Sequence, residues 1–285
     1  SMSADEPQPP LPTSPTLWRR VAASSWAEPT SPVVYARVKV DVTDIEVKLK
    51  ELSKKTGKRV TLTSLVSWAL AKAIADNPDC NAIVRAGELK QLPSVNINVA
   101  VALPESDTVW PCKLPNADKM NILEVADKIK KDKESIHTHQ AAKLHKYSMV
   151  DWLMPASIVR LVVNTATTLE TDWGVNLSWI GVDNIPFQPA SATITCNHHY
   201  GIEEAFATFP TMQPTPLIVS VGLVREIPWV VNGAIVPRRV VSLCFTVDHR
   251  VMDGKLGGKL MKSVRRHLYS FVKSPMPEEL PRAKL

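Results

Sequence analysis

Apolar and polar residues alternate through SPVVYARVKVDVT, residues 31–43, with Val34, Ala36, Val38 and Val40 on one side and Tyr35, Arg37, Lys39 and Asp41 on the other. A period of two predicts a strand with one wetter face. The period then lengthens. In DVTDIEVKLKELSKKTG, Ile45, Leu49 and Leu52 recur at helical spacing and Gly57 marks a stop. TLTSLVSWALAKAIADNP predicts a second, more buried helix. Pro78 closes it, because the residue before a proline is driven out of helical space. NAIVRAGELKQL reads as a hairpin across Ala86 and Gly87. SVNINVAVALP reads as a strand with Val95, Ile97, Val99, Val101 and Leu103 on one face, and another strand is expected near 108–114.

A lysine-rich helix or helix pair is predicted over 116–146, with Ile122, Val125 and Ile129 as its apolar stripe, and SMVDWLMPASIVRLVVNTATTL continues helical with a break at Pro155. Beyond Asp172 the pattern returns to strands: SATITC, the buried run TPLIVSVGLV, and VVNGAIV, whose Asn232-Gly233 is a tight-turn signal. RRVVSLCFTVDH is a further strand, and GKLGGKLMKSVRRHLYSFV a closing helix in which Gly257 and Gly258 are expected to allow close packing. Strands and helices interleave without a regular βαβ rhythm, which predicts a mixed α/β domain with helices flanking a mixed sheet. Residues 1–16 form a proline-rich tail or linker, 17–273 the domain, and 274–285 a C-terminal tail.

Composition narrows the function. The chain has 285 residues, 45% hydrophobic and 22% charged, with a net charge of +6. That mild basic excess carries no nucleic-acid signature, and a site for an anionic cofactor accounts for it equally well. Cys80, Cys112, Cys196 and Cys244 are far apart, without a zinc spacing, which points to a reducing, intracellular setting and to no metal. No run of eighteen apolar residues is present, so no membrane span is expected.

The chemistry concentrates in DHRVMDG, residues 248–254, where a histidine ends an apolar strand and Asp253-Gly254 turns the chain at once. His249 at such a place can be a general base, a metal ligand or a packed core residue. No second histidine or cysteine lies at short ligand spacing. On these seven residues alone, a packed histidine ahead of an ordinary Asp-Gly turn serves as well as a base.

The neighbours decide. TPLIVSVGLV, VVNGAIV and RRVVSLCFTVDHRVMDGKLGGKLMKSVRRHL, with RRVAASSWAEPTSPVVYARVKVDVTDIEVKLKEL, NPDCNA and VNINVAVALPESDTVWPCKL upstream, fall in the order of a known family. The chain resembles the catalytic domain of the dihydrolipoamide acyltransferases of 2-oxo acid dehydrogenase complexes. That domain shares its fold and a His-x-x-x-Asp-Gly motif with chloramphenicol acetyltransferase. The resemblance runs from about Leu17 to Val272 and is interrupted by an insertion at about 145–190.

The resemblance implies a coenzyme A-dependent acyltransferase fold and gives each motif residue a role. His249 would take the proton from the thiol of coenzyme A or dihydrolipoamide, and the thiolate would attack an acyl thioester. Asp253 would stay ionised and pair with an arginine near the domain start, Arg20 or Arg19, with Gly254 supplying the turn. An oxyanion donor is expected in ATITCNHHYG: Thr195, 54 residues before His249, with Cys196 or Ser178 as alternatives. His198 and His199 would line the substrate channel or touch the cofactor; read as adjacent strand residues they point to opposite faces and would not ligate one metal together. The family also implies a homotrimer with the site between subunits, acyl-coenzyme A and a lipoyl group as substrates, and dehydrogenase-complex subunits as partners. Such a protein works in the mitochondrial matrix or the bacterial cytoplasm. A stand-alone coenzyme A acyltransferase with another acceptor, or a non-catalytic trimeric scaffold, is the competing expectation.

Overall fold

The computed structural model describes residues 32–85, 87–102, 109–135, 189–209 and 214–275, with scattered positions between 158 and 175. Among the described residues the expected elements form; the helix expected over 148–169 and the part of the lysine-rich helix beyond residue 135 lie largely outside them. Strand β1 (Val33–Asp41) leads into α1 (Thr43–Thr56), which ends at Gly57, and then α2 (Leu62–Asp76). The Thr61 side chain accepts a hydrogen bond from Ser64 N and so caps α2 at its start. Strands β2 (Ala82–Arg85) and β3 (Glu88–Gln91) are a separate hairpin. Then come β4 (Ile97–Ala102), β5 (Val109–Leu114) and a helix over 122–135, α3. Strands β6 (Ala192–Cys196), β7 (Leu217–Val221), β8 (Arg225–Val231) and β9 (Ala234–Asp248) precede the closing helix α4 (Gly254–Lys273).

Among the described residues seven strands make one sheet in the order β1-β9-β7-β6-β4-β5, with β8 on the first half of β9. It is mixed: β6 runs parallel to β4 and to β7, and the other pairs are antiparallel. Strand β9 organises it. Its first half forms an arm with β8, turned by Asn232 and Gly233 at φ 51° and 81°, the left-handed geometry a two-residue hairpin needs. Its second half, Val240 to Asp248, is buried between β1 and β7.

The two faces of β9 differ. Leu243, Phe245 and Val247 join one apolar cluster with Ile45, Leu49 and Leu52 of α1, Leu65, Leu70 and Ile74 of α2, and Leu260, Val264 and Leu268 of α4. Each such side chain contributes about 1.5–3 kcal/mol of transfer free energy. Ser242, Cys244, Thr246 and Asp248 alternate onto the opposite face, as a period of two requires. Helix α4 is secured at its far end by Lys48, whose buried ammonium donates to the carbonyls of Phe271 (2.6 Å), Val272 (2.9 Å) and Ser274.

One expectation is corrected here. Gly257 and Gly258 mark no close contact among the described residues, because a Cβ at either position would meet nothing there within 4 Å. The tight approach is at Gly222, where a Cβ would run into the backbone of Glu203.

Candidate active site

The turn after β9 is held from both sides. The Asp248 N–H donates to Pro216 O (2.9 Å), and the Asp248 carbonyl accepts from Val251 N and Met252 N, each at 3.0 Å. Val251 and Met252 are buried in the core. Asp253 then caps α4, its carboxylate accepting from Leu256 N at 2.7 Å, which places a negative charge at the positive end of the helix dipole. Between these anchors His249 and Arg250 are exposed. The opening alternative is thereby settled in part: within one chain His249 is not a packed core histidine.

Thr195 lies on β6, two strands from β9. It is in register with Ser220, and Ser220 with Cys244. Register partners share a face, so Thr195 belongs to the polar face. Asn197 donates from Nδ2 to Ser220 Oγ at 2.5 Å beside it, and the buried hydroxyls of Thr193 and Thr246 on the same face have no hydrogen-bond partner. Cys196 points the other way, with its sulfur 2.9 Å from Thr63 Oγ1 at the start of α2. Burial raises the pKa of the Cys196 thiol, with the Thr63 hydrogen bond opposing, so it stays a protonated thiol and not a nucleophile.

The segment after β6 crosses the polar face as a strap. Leu223 N donates to Ile202 O (2.9 Å). Glu204 accepts from Ser242 Oγ (2.9 Å) and from Arg37 (2.6 Å), and the Phe206 ring meets Tyr35 edge-on at 5.3 Å. These contacts hold the carboxyl of Glu204 below its usual range, through the Arg37 and Ser242 hydrogen bonds against a smaller effect of burial. His198 and His199 are on a short 3-10 turn, His198–Tyr200, and not on a strand. The chain curls there because Tyr200 N returns to Asn197 O (3.0 Å) and Gly201 N to His198 O (3.2 Å), so the argument from alternating faces does not apply to this pair.

A single chain does not bring Thr195 and His249 together. Two strand spacings separate Thr195 from Cys244, and His249 is five residues further along. At about 4.8 Å per strand and about 3.3 Å per residue the two lie roughly 15–20 Å apart. Arg19, Arg20 and Ser178 fall outside the described residues, as does most of the 145–190 segment.

Sequence reading passed over Asp248 and Arg250. Their forked ion pair (Arg250 Nη2 to Asp248 Oδ2, 2.7 Å; Nε to Oδ1, 3.0 Å) brackets His249. An Asp-x-Arg centred on a candidate base at a strand end is the signal that was available. Among the described residues no group of three or more His, Cys, Asp or Glu could hold a metal ion, and no helix is long and apolar enough to cross a membrane.

In this chain a mixed sheet with helices on its apolar face thus ends in an exposed histidine and a capped helix. Residues 16–149 and 187–274 match the family described as 2-oxoacid dehydrogenases acyltransferase (catalytic domain), and the chain belongs to it. Its fold is similar to that of a probable dihydrolipoamide acetyltransferase from Listeria monocytogenes (TM-score 0.62, 17% identity, 90% of this chain and 92% of that one). It is also similar to the cubic core of a pyruvate dehydrogenase multienzyme complex (TM-score 0.61, 22% identity, 86% and 85%). Among curated proteins, the chain is 23% identical over 235 residues to the dihydrolipoyllysine-residue acetyltransferase component of the pyruvate dehydrogenase complex of Mycoplasma capricolum, covering 80% of this chain and 43% of that protein. The chain thus spans less than half the length of the curated relatives it matches first.

Proposed function

We propose that this chain catalyses acyl transfer between coenzyme A and the thiol of a dihydrolipoyl group, with His249 as general base. The observation that carries the reading is the placement of His249: exposed, on a turn held by the backbone bonds of Asp248 and by the Asp253 cap of α4. A thiol with a pKa of about 8.5 is mostly protonated at neutral pH, and an imidazole near about 6.5 is a suitable acceptor for its proton. The thiolate attacks the thioester carbonyl, the oxyanion takes a hydrogen bond from the Thr195 hydroxyl, and the first thiol leaves with the proton returned by His249. The substrate supplies the nucleophile, so neither a protein nucleophile nor a metal enters these steps.

Thr195 and His249 act together only if different copies supply them, which the register separation within one chain supports. We therefore assign the site to the interface of a homotrimer, consistent with the family and with the cubic core formed by a structural relative. Partner subunits of a 2-oxo acid dehydrogenase complex and a reducing compartment, mitochondrial matrix or bacterial cytoplasm, belong to the same reading. Residues 150–186, which the family match leaves out, favour a second reading: a coenzyme A acyltransferase whose acceptor is not a lipoyl group.

The test is transfer from acetyl-, propionyl- and longer acyl-coenzyme A to dihydrolipoamide, with His249→Ala as control. Turnover that disappears in the variant supports the mechanism, and the best donor names the acyl group. Transfer to other thiols or amines but none to dihydrolipoamide selects the second reading. Undiminished turnover in His249→Ala overturns the role of the histidine.

A further inference from the structure

We infer that Asp248 and Arg250 form a positioning pair for His249, a closed clamp whose work is to hold the catalytic turn in one conformation. The inference rests on His249 being the base.

The geometry is local and complete. The Arg250 N–H donates to Asp248 Oδ1 at 3.0 Å, Arg250 Nε lies 3.0 Å from Oδ1 and 3.2 Å from Oδ2, and Nη2 is 2.7 Å from Oδ2. A carboxylate gripped by a guanidinium fork and a backbone amide has a defined plane and direction. The Asp248 backbone is as constrained as its side chain, donating to Pro216 and accepting from Val251 and Met252. The residues on both sides of His249 are therefore tied to each other, and Asp248 is tied to the turn.

Among the described residues the pair joins no other element. Most other ion pairs of the described residues bridge distant elements, as Arg238 does from β9 to Asp41 and Asp44; the local exceptions, Lys128–Asp132 and Lys130–Glu134, brace one helix. Asp248 and Arg250 are two residues apart, and among the described residues no other ion pair or side-chain hydrogen bond involves either. The Asp248 side chain is only 12% exposed, against 56% for Arg250. A carboxylate is thus held out of water for a partner that spans only the histidine between them. A pair meant for global stability would reach across the fold. This one reaches across the base.

Such a clamp acts through geometry. A base displaced by about 1 Å can lose about 100-fold in rate, while substrate binding and the remainder of the fold stay as they were. Lysine cannot replace the fork, because its ammonium gives a point contact and not a planar one.

The experiment uses the full chain with acyl-coenzyme A and dihydrolipoamide, and compares wild type with Arg250→Gln, Arg250→Lys, Asp248→Asn and the double variant Asp248→Asn/Arg250→Gln. Each single variant should lower kcat by about tenfold or more, with both KM values within about twofold and little change in thermal midpoint. Arg250→Lys should recover little. The double variant should be no worse than the poorer single one, since removing either half opens the same clamp. Full kcat in Arg250→Gln, a loss carried by KM, or independent additive losses in the double variant would each overturn the inference. His249→Ala, measured alongside, separates the two readings: its activity decides whether the histidine is the base, and the Arg250 variants decide whether the pair positions it.

Discussion

Gly222 on the edge of β7 and Glu203 on the strap after β6 are in backbone contact, with no room for a Cβ between them. This contact helps to set the path of the strap, which begins just after β6, the strand that carries Thr195. Gly222→Ala should push the strap off the sheet, lower stability by about 1–3 kcal/mol and reduce turnover along with it. Urea denaturation and acyl transfer on the same sample check both effects. A variant as stable and as active as the wild type would show that the strap moves without consequence.

Thr195→Ala should lower kcat by about 100- to 1000-fold, the usual cost of one lost oxyanion donor, and Thr195→Ser should retain most of the activity because the hydroxyl remains. Single-turnover measurement with saturating acyl-coenzyme A separates this loss from binding.

Because His249 and Thr195 are too far apart within one chain, inactive variants should complement each other. When His249→Ala and Thr195→Ala are unfolded together and refolded as a mixture, roughly a quarter of the interfaces in a random trimer would carry an intact pair. Activity near that fraction of wild type is expected. A mixture as dead as its components would place both residues in one chain's site.

Lys48→Met should destabilise the domain by about 2–4 kcal/mol. The ammonium satisfies the last carbonyls of α4 at Phe271 and Val272, and a thioether leaves them bare. Chemical denaturation measures the loss.

Asp41 gives a pH dependence. Burial alone would raise the pKa of its carboxyl, but hydrogen bonds from Arg238 and Thr43 outweigh that and hold it below the usual value. A depressed folded pKa stabilises the domain above the unfolded value of about 3.9, and the contribution is lost as pH falls through the folded pKa. Urea midpoints at pH 6 and pH 3 should therefore fall further for the wild type than for Asp41→Asn. Equal falls would remove Asp41 from the acid transition.

The elements were legible where a period had length to assert itself. Alternation in 33–41 and helical spacing in 43–56 suffice because each segment buries one face only, so its polar residues record which side faces water. The same rule failed at His198 and His199, where a tight turn interrupts the strand and no periodic signal spans three residues. It also misread Gly257 and Gly258, since composition reports an absent side chain and not whether anything occupies the vacated space.

The sequence by itself determined the class of the domain, the strand that delivers His249 and the turn at Asp253-Gly254, because propensities and turns depend on neighbours in the chain. Only the tertiary structure decided that Thr195 and His249 lie far apart within one chain, that Cys196 turns away from Thr195 toward Thr63, and that Glu203 needs the bare Gly222. Those relationships depend on strand order, register and side-chain direction. Many residues far apart in the chain set these jointly through packing, and no local pattern carries them.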